Sequence, residues 1–319
     1  MDFVLASDNN YSQHLAVAIY SVFKLHTEIE KVTIHVLSNQ ISESNLLLLD
    51  TICKKFKNGE LRIYEMNNIQ DLIGINVNTD HLSIAAYARL FIPKLIPNEV
   101  KKALYLDVDV LVNRSLYDLF TLDLGDNYIG AVRSIFDINE KSSDKETNFY
   151  INSGVIVFDL DKCRKDKVFE KFISCINGNE GKLKFHDQTV INETLNGSIK
   201  ELELKYNVMT PVIMLDYNKF LKFYKIKQYY NEKQYQEAKN NPAIIHLTKW
   251  IVGRPWEKGS IHPYKSLYLD YLGKIETKNK QLIDGVSRRH YENQFFIAKN
   301  FPPIVLKIWN RLVMLFYNN

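Results

Sequence analysis

Short β-rich runs alternate with helix-patterned segments through the first two thirds of the chain, and this alternation constrains the fold more than any other feature. Residues 3–6 read as a strand, 15–25 as a helix, 32–37 as a strand, 46–56 as a helix and 61–64 as a strand. Residues 102–106 form another apolar run with β character. Residues 150–158 read as a buried strand followed by a helix capped at Asp159 or Asp161, and Ile244 and Ile245 close a short strand ahead of His246. Such alternation predicts an α/β domain with a mostly parallel, mixed sheet flanked by helices. In open sheets of this kind ligands bind beyond the carboxyl ends of the strands. Residues 7–11, residues 107–109 and His246 each follow a predicted strand, so they are expected to converge on one cleft.

The chain has 319 residues, enough for one large domain or a domain with an appendage. No apolar stretch approaches the roughly 18 residues a membrane-spanning helix needs, and the start lacks the basic flank and long apolar core of a secretory signal. Cys53, Cys163 and Cys175 are odd in number and show no CxxC spacing, which favours a reducing cytoplasm over a disulfide framework or zinc site. Net charge is +4 but unevenly spread: residues 272–319 hold eight Lys/Arg against three acids, so the tail carries +5 and the remainder −1. We therefore expect a catalytic domain over 1–271 and a basic, aromatic tail over 272–319. Pro302 and Pro303 introduce a helix-patterned stretch, 304–317, whose polar face is narrow: Lys307, Asn310 and Arg311. This pattern fits a helix lying on an anionic membrane surface; the alternative is a helix docked on the protein's own core. No nucleic-acid-binding motif is present, and none is expected as a partner.

The chemistry concentrates at a few polar islands. Asp107-Val108-Asp109 interrupts the apolar run 104–111, and two carboxylates there repel unless a cation sits between them. Hard oxygen ligands suit Mg²⁺ or Mn²⁺, which also bind phosphate oxygens and so bridge a protein to a nucleotide diphosphate. His246 is a second candidate ligand, followed by Lys249, Gly253 and Arg254, cations beside a glycine that suit a departing diphosphate. At the N-terminus residues 6–11 turn from strand into helix. Asp8 can accept from a base or ribose hydroxyl and Tyr11 can stack on a base, although Asp and Asn are also ordinary cap residues. Asn152-Ser153-Gly154-Val155 is expected to interrupt a strand where a ligand approaches backbone, and Asp187 is expected to open a helix from which it and Gln188 grip sugar hydroxyls.

Taken together, residues 1–11, 81–90, 104–112, 152–155, 186–188 and 246–256 resemble, in order and spacing, family 8 glycosyltransferases of the bacterial lipopolysaccharide galactosyl- and glucosyltransferase type, with glycogenin a remote relative. The resemblance covers roughly residues 1–256. It implies a GT-A fold, a UDP-hexose donor (UDP-galactose or UDP-glucose), Mn²⁺ with Mg²⁺ as the alternative, and retention of anomeric configuration. It further implies Asp107, Asp109 and His246 as metal ligands. Ala6, Ser7, Asp8, Asn10, Tyr11 and Val108 would bind the UDP moiety, Arg89, Asn152 and Ser153 would lie near the donor sugar, and Asp187 and Gln188 would contact the transferred hexose. The family's usual His-x-x-Gly-x-x-Lys-Pro-Trp is two residues longer here and carries Arg254 where lysine is usual, so Lys249 and Arg254 are alternative candidates for the diphosphate contact.

An amide is a poor nucleophile, so with Gln188 beneath the sugar the expected route is same-face attack by the acceptor, Asp187 and Gln188 orienting the sugar. The acceptor implied is a glycan or glycolipid at the inner face of the cytoplasmic membrane. Two rivals are a UDP-sugar-binding protein with a degenerate site and a haloacid-dehalogenase-type phosphotransferase. The latter's strand-ending D-x-D lies near the N-terminus and needs a second, distant acidic motif.

Overall fold

A computed structural model describes residues 1–66, 73–74, 84–135, 149–275, 282–306 and 308–309. A seven-stranded mixed sheet runs in the order β3-β2-β1-β4-β7-β6-β8, built from β1 (Asp2–Asp8), β2 (Val32–Asn39), β3 (Gly59–Glu65), β4 (Lys102–Leu106), β6 (Ile129–Arg133), β7 (Ile151–Asp159) and β8 (Ile199–Glu201). Four of its six pairings are parallel, and only β7 runs against its neighbours. A second, three-stranded sheet, β5-β10-β9, is formed by β5 (Val110–Val112), β9 (Val208–Met209) and β10 (Ile244–His246).

Side chains alternate across a strand with period two, and here both faces of the large sheet are covered. In β4, Leu104 and Leu106 join one core cluster while Ala103 and Tyr105 join the other. Phe3 and Leu5 of β1 divide from Val4 and Ala6 in the same way. Burial on two faces explains why these strands read as continuous apolar runs rather than alternating ones. Helix α1 (Ser12–Lys24) packs against α2 (Glu43–Lys54) and, from the far end of the chain, against the helix Lys265–Lys274. That last helix spans the expected 271/272 boundary.

Two local expectations are corrected. Residues 152–155 do not break a strand: β7 continues from Ile151 to Asp159, and the irregularity is a register shift against β6, where Ala131 faces Ile156 but Arg133 faces Ile151. The helix expected to open at Asp187 runs His186–Thr194, starting one residue earlier, with His186 at φ +48°. The strands β5, β8 and β9, of three, three and two residues, are too short to show a period of their own, and the five-residue β6 has no counterpart among the expected strands. Residues 81–83 of the family-like block, residues 136–148, and Lys307, Asn310 and Arg311 of the tail lie outside the described residues.

Candidate active site

Asp107 and Asp109 do not converge through strand alternation. They lie in the turn by which the chain leaves β4 of the large sheet and enters β5 of the small one. His246 reaches them by register: it pairs with Val110 across the antiparallel β10–β5 ladder, and the Leu247 amide donates to the Asp109 carbonyl at 2.8 Å. Its Nε2 then stands 3.1 Å from Asp109 Oδ1 and 3.8 Å from Asp107 Oδ2. Ligand atoms of these three residues all lie within 4.8 Å of one another. Two carboxylates and an imidazole are a donor set suited to a divalent cation.

What surrounds the imidazole supports that reading. His246 Nδ1 lies 2.8 Å from Asn207 Oδ1, an acceptor that fixes the proton on Nδ1 and leaves Nε2 for a metal. Without a cation, burial alone would lower the His246 pKa, but the adjacent Asp109 outweighs it and the net direction is upward. Burial likewise opposes ionisation of Asp109, yet His246 and then Arg254 hold its carboxyl below the usual range. Gly154 makes the approach possible: a Cβ there would lie 2.7 Å from Asp107 Oδ2 and collide with the His246 ring.

A polar chain links this cluster to the expected sugar site. Asn207 Nδ2 donates to Asn152 Oδ1 at 2.8 Å, and Asn152 Nδ2 donates to Gln188 Oε1 at 3.2 Å. The Ser153 amide also donates to Gln188 Oε1, and the Ser153 hydroxyl donates to Asp187 Oδ2 at 3.1 Å. The register shift of β7 is what turns Asn152 and Ser153 away from the β6 ladder and toward these partners.

Arg89 is the brace between the two halves. It is 6% exposed, with Nη2 2.9 Å from Asp107 Oδ1, Nε 3.0 Å from Asp187 Oδ2, and Nη1 on the Ser153 carbonyl and hydroxyl. Its guanidinium lies over the Tyr105 ring, whose hydroxyl donates to Asp107 Oδ1 at 2.9 Å. Burial disfavours the charged guanidinium, but Asp107 and Asp187 hold it protonated. Burial pushes the Asp187 carboxyl up, an effect Arg89 partly offsets. Removing one member of such a buried network costs roughly 3–5 kcal/mol, because an uncompensated charge remains.

The N-terminal turn borders the cluster. Asp8 caps it, its Oδ1 accepting from the amides of Asn10 (2.9 Å) and Tyr11 (3.2 Å), so the ordinary capping role is present. Ser7 is buried and donates to the Asp8 carbonyl, and Ala6 is buried at the end of β1, while Asn10 is exposed. Tyr11 is half-exposed, and its hydroxyl accepts from Arg254 Nη1 at 3.2 Å. Arg254 Nη2 lies 3.5 Å from Asp109 Oδ2, and its Nε is buried without a hydrogen-bond partner among the described residues. Lys249 goes elsewhere: it is exposed and lines a separate groove of about 590 Å³ with Trp250, Ile283, Val286 and His290. Val108 is half-buried between the two aspartates, and Gly253 precedes Arg254 at φ +72°. Sequence reasoning missed Asn207 and Tyr105. The only signal for Asn207 was an amide between the apolar residues Tyr206 and Val208; Tyr105 read as core.

The chain is similar to known proteins over most of its length. A family model described as "Glycosyl transferase family 8" matches residues 2–259. General stress protein A of Bacillus subtilis is 30% identical over 280 residues, covering 85% of this chain and 93% of that protein. Lipopolysaccharide 1,2-glucosyltransferase of Escherichia coli K12 is 28% identical over 90% of this chain and 82% of its own length. Among solved structures, the galactosyltransferase LgtC in complex with donor and acceptor sugar analogues superposes with a TM-score of 0.70 at 26% identity, covering 88% of this chain and 98% of that one.

Proposed function

Since the chain belongs to glycosyl transferase family 8 and is a glycosyltransferase of GT-A fold, we propose that it transfers galactose or glucose from a UDP-sugar to a glycan or glycolipid acceptor, with retention, in surface-polysaccharide synthesis. The observation that carries this reading is the Asp107–Asp109–His246 cluster, joined through Asn207 and Asn152 to Gln188. The relatives named for lipopolysaccharide glucosyl transfer and for galactosyl transfer support the hexose and the glycan acceptor.

Enzymes of this fold commonly use a divalent metal, and the imidazole in the donor set favours Mn²⁺ over Mg²⁺. Bound there, the cation would neutralise charge on the departing diphosphate. The chain's own residues do the rest. Ala6, Ser7, Asp8, Asn10 and Tyr11 hold the uridine, with Val108 beside it. Arg254, preceded by Gly253, meets the diphosphate with a guanidinium whose buried Nε has no hydrogen-bond partner among the described residues. Arg89 acts as a brace, holding Asp107 and Asp187 in fixed relation. Asn152, Ser153, Asp187 and Gln188 orient the sugar. Because Gln188 Oε1 already accepts from Asn152 and the Ser153 amide, it is poorly disposed to attack C1, which favours same-face attack by the acceptor hydroxyl. Replacing Gln188 by Ala separates the routes: a modest loss of rate fits orientation, complete loss fits a covalent role.

No helix among the described residues is long and apolar enough to cross a membrane. Six of the nine exposed large hydrophobics among them lie between Ile283 and Ile308, interspersed with exposed Arg288, Arg289 and Lys299. This exposed apolar and basic segment supports peripheral attachment of the tail to an anionic membrane, the cytoplasmic leaflet on this reading. The central test is UDP release from UDP-galactose and UDP-glucose, with Mn²⁺ and with chelator, by wild type and by Asp107→Ala/Asp109→Ala. Metal-dependent hydrolysis of one donor, abolished in the double variant, identifies the sugar. No turnover and no metal-dependent donor binding would overturn the reading in favour of a degenerate site.

A further inference from the structure

The loop that carries Arg254 is held from both sides, and one of those sides lies outside the family-matched span 2–259. On the inner side Trp256, 2% exposed, stacks on His14 of α1 with ring centroids 4.0 Å apart. On the outer side the chain returns some thirty residues later. The Ile283 amide donates to the Trp256 carbonyl at 2.9 Å, and the Lys258 amide donates to the Ile283 carbonyl at 3.1 Å. The Tyr291 hydroxyl donates to Glu257 Oε2, and both residues are 8% exposed. Lys265 Nζ closes the loop from below, donating to the carbonyls of Glu257 and Lys258 at 2.8 and 2.7 Å.

Packing around the glycines shows how tightly the two segments are matched. Gly253 adopts φ +72°, and a Cβ on it would stand 2.8 Å from the Tyr291 ring and 2.9 Å from Glu257 Oε2. A Cβ on Gly259 would collide with the Val286 carbonyl. Tyr291 therefore occupies the space that any side chain at 253 would need, directly before Arg254. Arg254 in turn reaches Tyr11 and Asp109 with a planar fork, and such a group is effective only when its plane is fixed.

We propose that Tyr291 and Glu257 are positioning residues for Arg254, so that the diphosphate contact of the donor site depends on the C-terminal segment. The inference rests on the reading of Arg254 as the diphosphate contact, and the test separates the two. UDP affinity in the presence of Mn²⁺ is measured by calorimetry on the full chain for Arg254→Ala, Tyr291→Phe, Glu257→Gln and the double variant Arg254→Ala/Tyr291→Phe. Arg254→Ala is expected to weaken UDP binding about tenfold or more. Tyr291→Phe and Glu257→Gln, which keep the ring and the side-chain size, are each expected to weaken it by about three- to tenfold. In Tyr291→Phe and Glu257→Gln the Mn²⁺ affinity without nucleotide, read by electron paramagnetic resonance, stays unchanged. In the Arg254→Ala background Tyr291→Phe is expected to add less than about a twofold change, since its effect passes through the missing guanidinium. Wild-type UDP affinity in both Tyr291→Phe and Glu257→Gln would overturn the inference. So would an equal loss from Tyr291→Phe with or without Arg254, which marks general destabilisation. Wild-type affinity in Arg254→Ala would instead remove the reading of Arg254, and this inference with it.

Discussion

The two edges of the candidate site are built by different means. The Asp107–Asp109–His246 edge is set by backbone: a turn between two sheets and an antiparallel register that leaves no freedom in where His246 arrives. The Arg254 edge is set by segments closing on a loop: an aromatic stack against α1 and, from residues 283–291, two backbone hydrogen bonds with the Tyr291–Glu257 contact beside them. Ladder hydrogen bonds are local to their strands and cooperative with the core, whereas a clasped loop is only as fixed as the segments closing on it. The Asp107–Asp109–His246 cluster is thus fixed by its ladders, while the placement of Arg254 depends on a distant part of the chain.

Acid should loosen both edges: His14 stacks on Trp256 of the clasped loop, and His262 Nε2 lies 3.2 Å from Thr210 Oγ1 beside the β9–β10 pair. His14 and His262 are both buried and held neutral, burial lowering each pKa from 6.5 to about 4. Because the folded-state value is depressed, each contributes stability that is full above pH 6.5 and is lost as pH falls from there toward 4. The loss by pH 4 amounts to about 3 kcal/mol apiece at most. A urea-midpoint profile between pH 7 and 4 should flatten in the variant His14→Gln/His262→Gln; an unchanged slope would show that other groups govern acid sensitivity.

The register-built edge should also respond to changes of a few atoms. Asn207→Ala removes the acceptor on His246 Nδ1 and the link to Asn152, and is expected to weaken Mn²⁺ binding about 10- to 100-fold. Equal Mn²⁺ affinity in the variant would deny Asn207 its orienting role. Gly154→Ala inserts a methyl between His246 and Asp107 and should cost about 1–3 kcal/mol in stability through overpacking, together with lowered Mn²⁺ affinity. A variant as stable as wild type would mean that the ligand cluster yields more easily than its backbone ladders imply. The smallest effect is expected at Lys249, which lines the outer groove rather than the cluster. Lys249→Ala should change donor KM by less than about twofold; a change matching that of Arg254→Ala would show that the loop rearranges when donor binds.

Much of the architecture was legible because it rests on short-range pattern. The run 102–106 coincides with β4, and β1, β2 and β3 differ from expectation by one or two residues at their ends. Two-sided burial made the interiors of β1 and β4 almost continuously apolar, which is a strong signal. The register shift in β7 was misread as a break because Asn, Ser and Gly are poor strand formers wherever they occur, and only the β6 partner reveals that pairing continues on the other side. Arg89 was identified as a site residue, but not that it ties Asp107 to Asp187.

The sequence by itself determined which groups carry charge and where the chain turns from strand to loop, so the α/β class and the candidates Asp107, Asp109 and His246 could be read from residue type and local spacing. Only the tertiary structure decided that His246 lies opposite Val110, that Asn207 stands behind it, that Arg254 rather than Lys249 lies beside Asp109, and that Tyr291 closes on the loop. The reason is physical. Periodicity records which face of an element is buried, but contacts between residues dozens to more than a hundred positions apart depend on strand order, register and the packing of segments that share no local pattern.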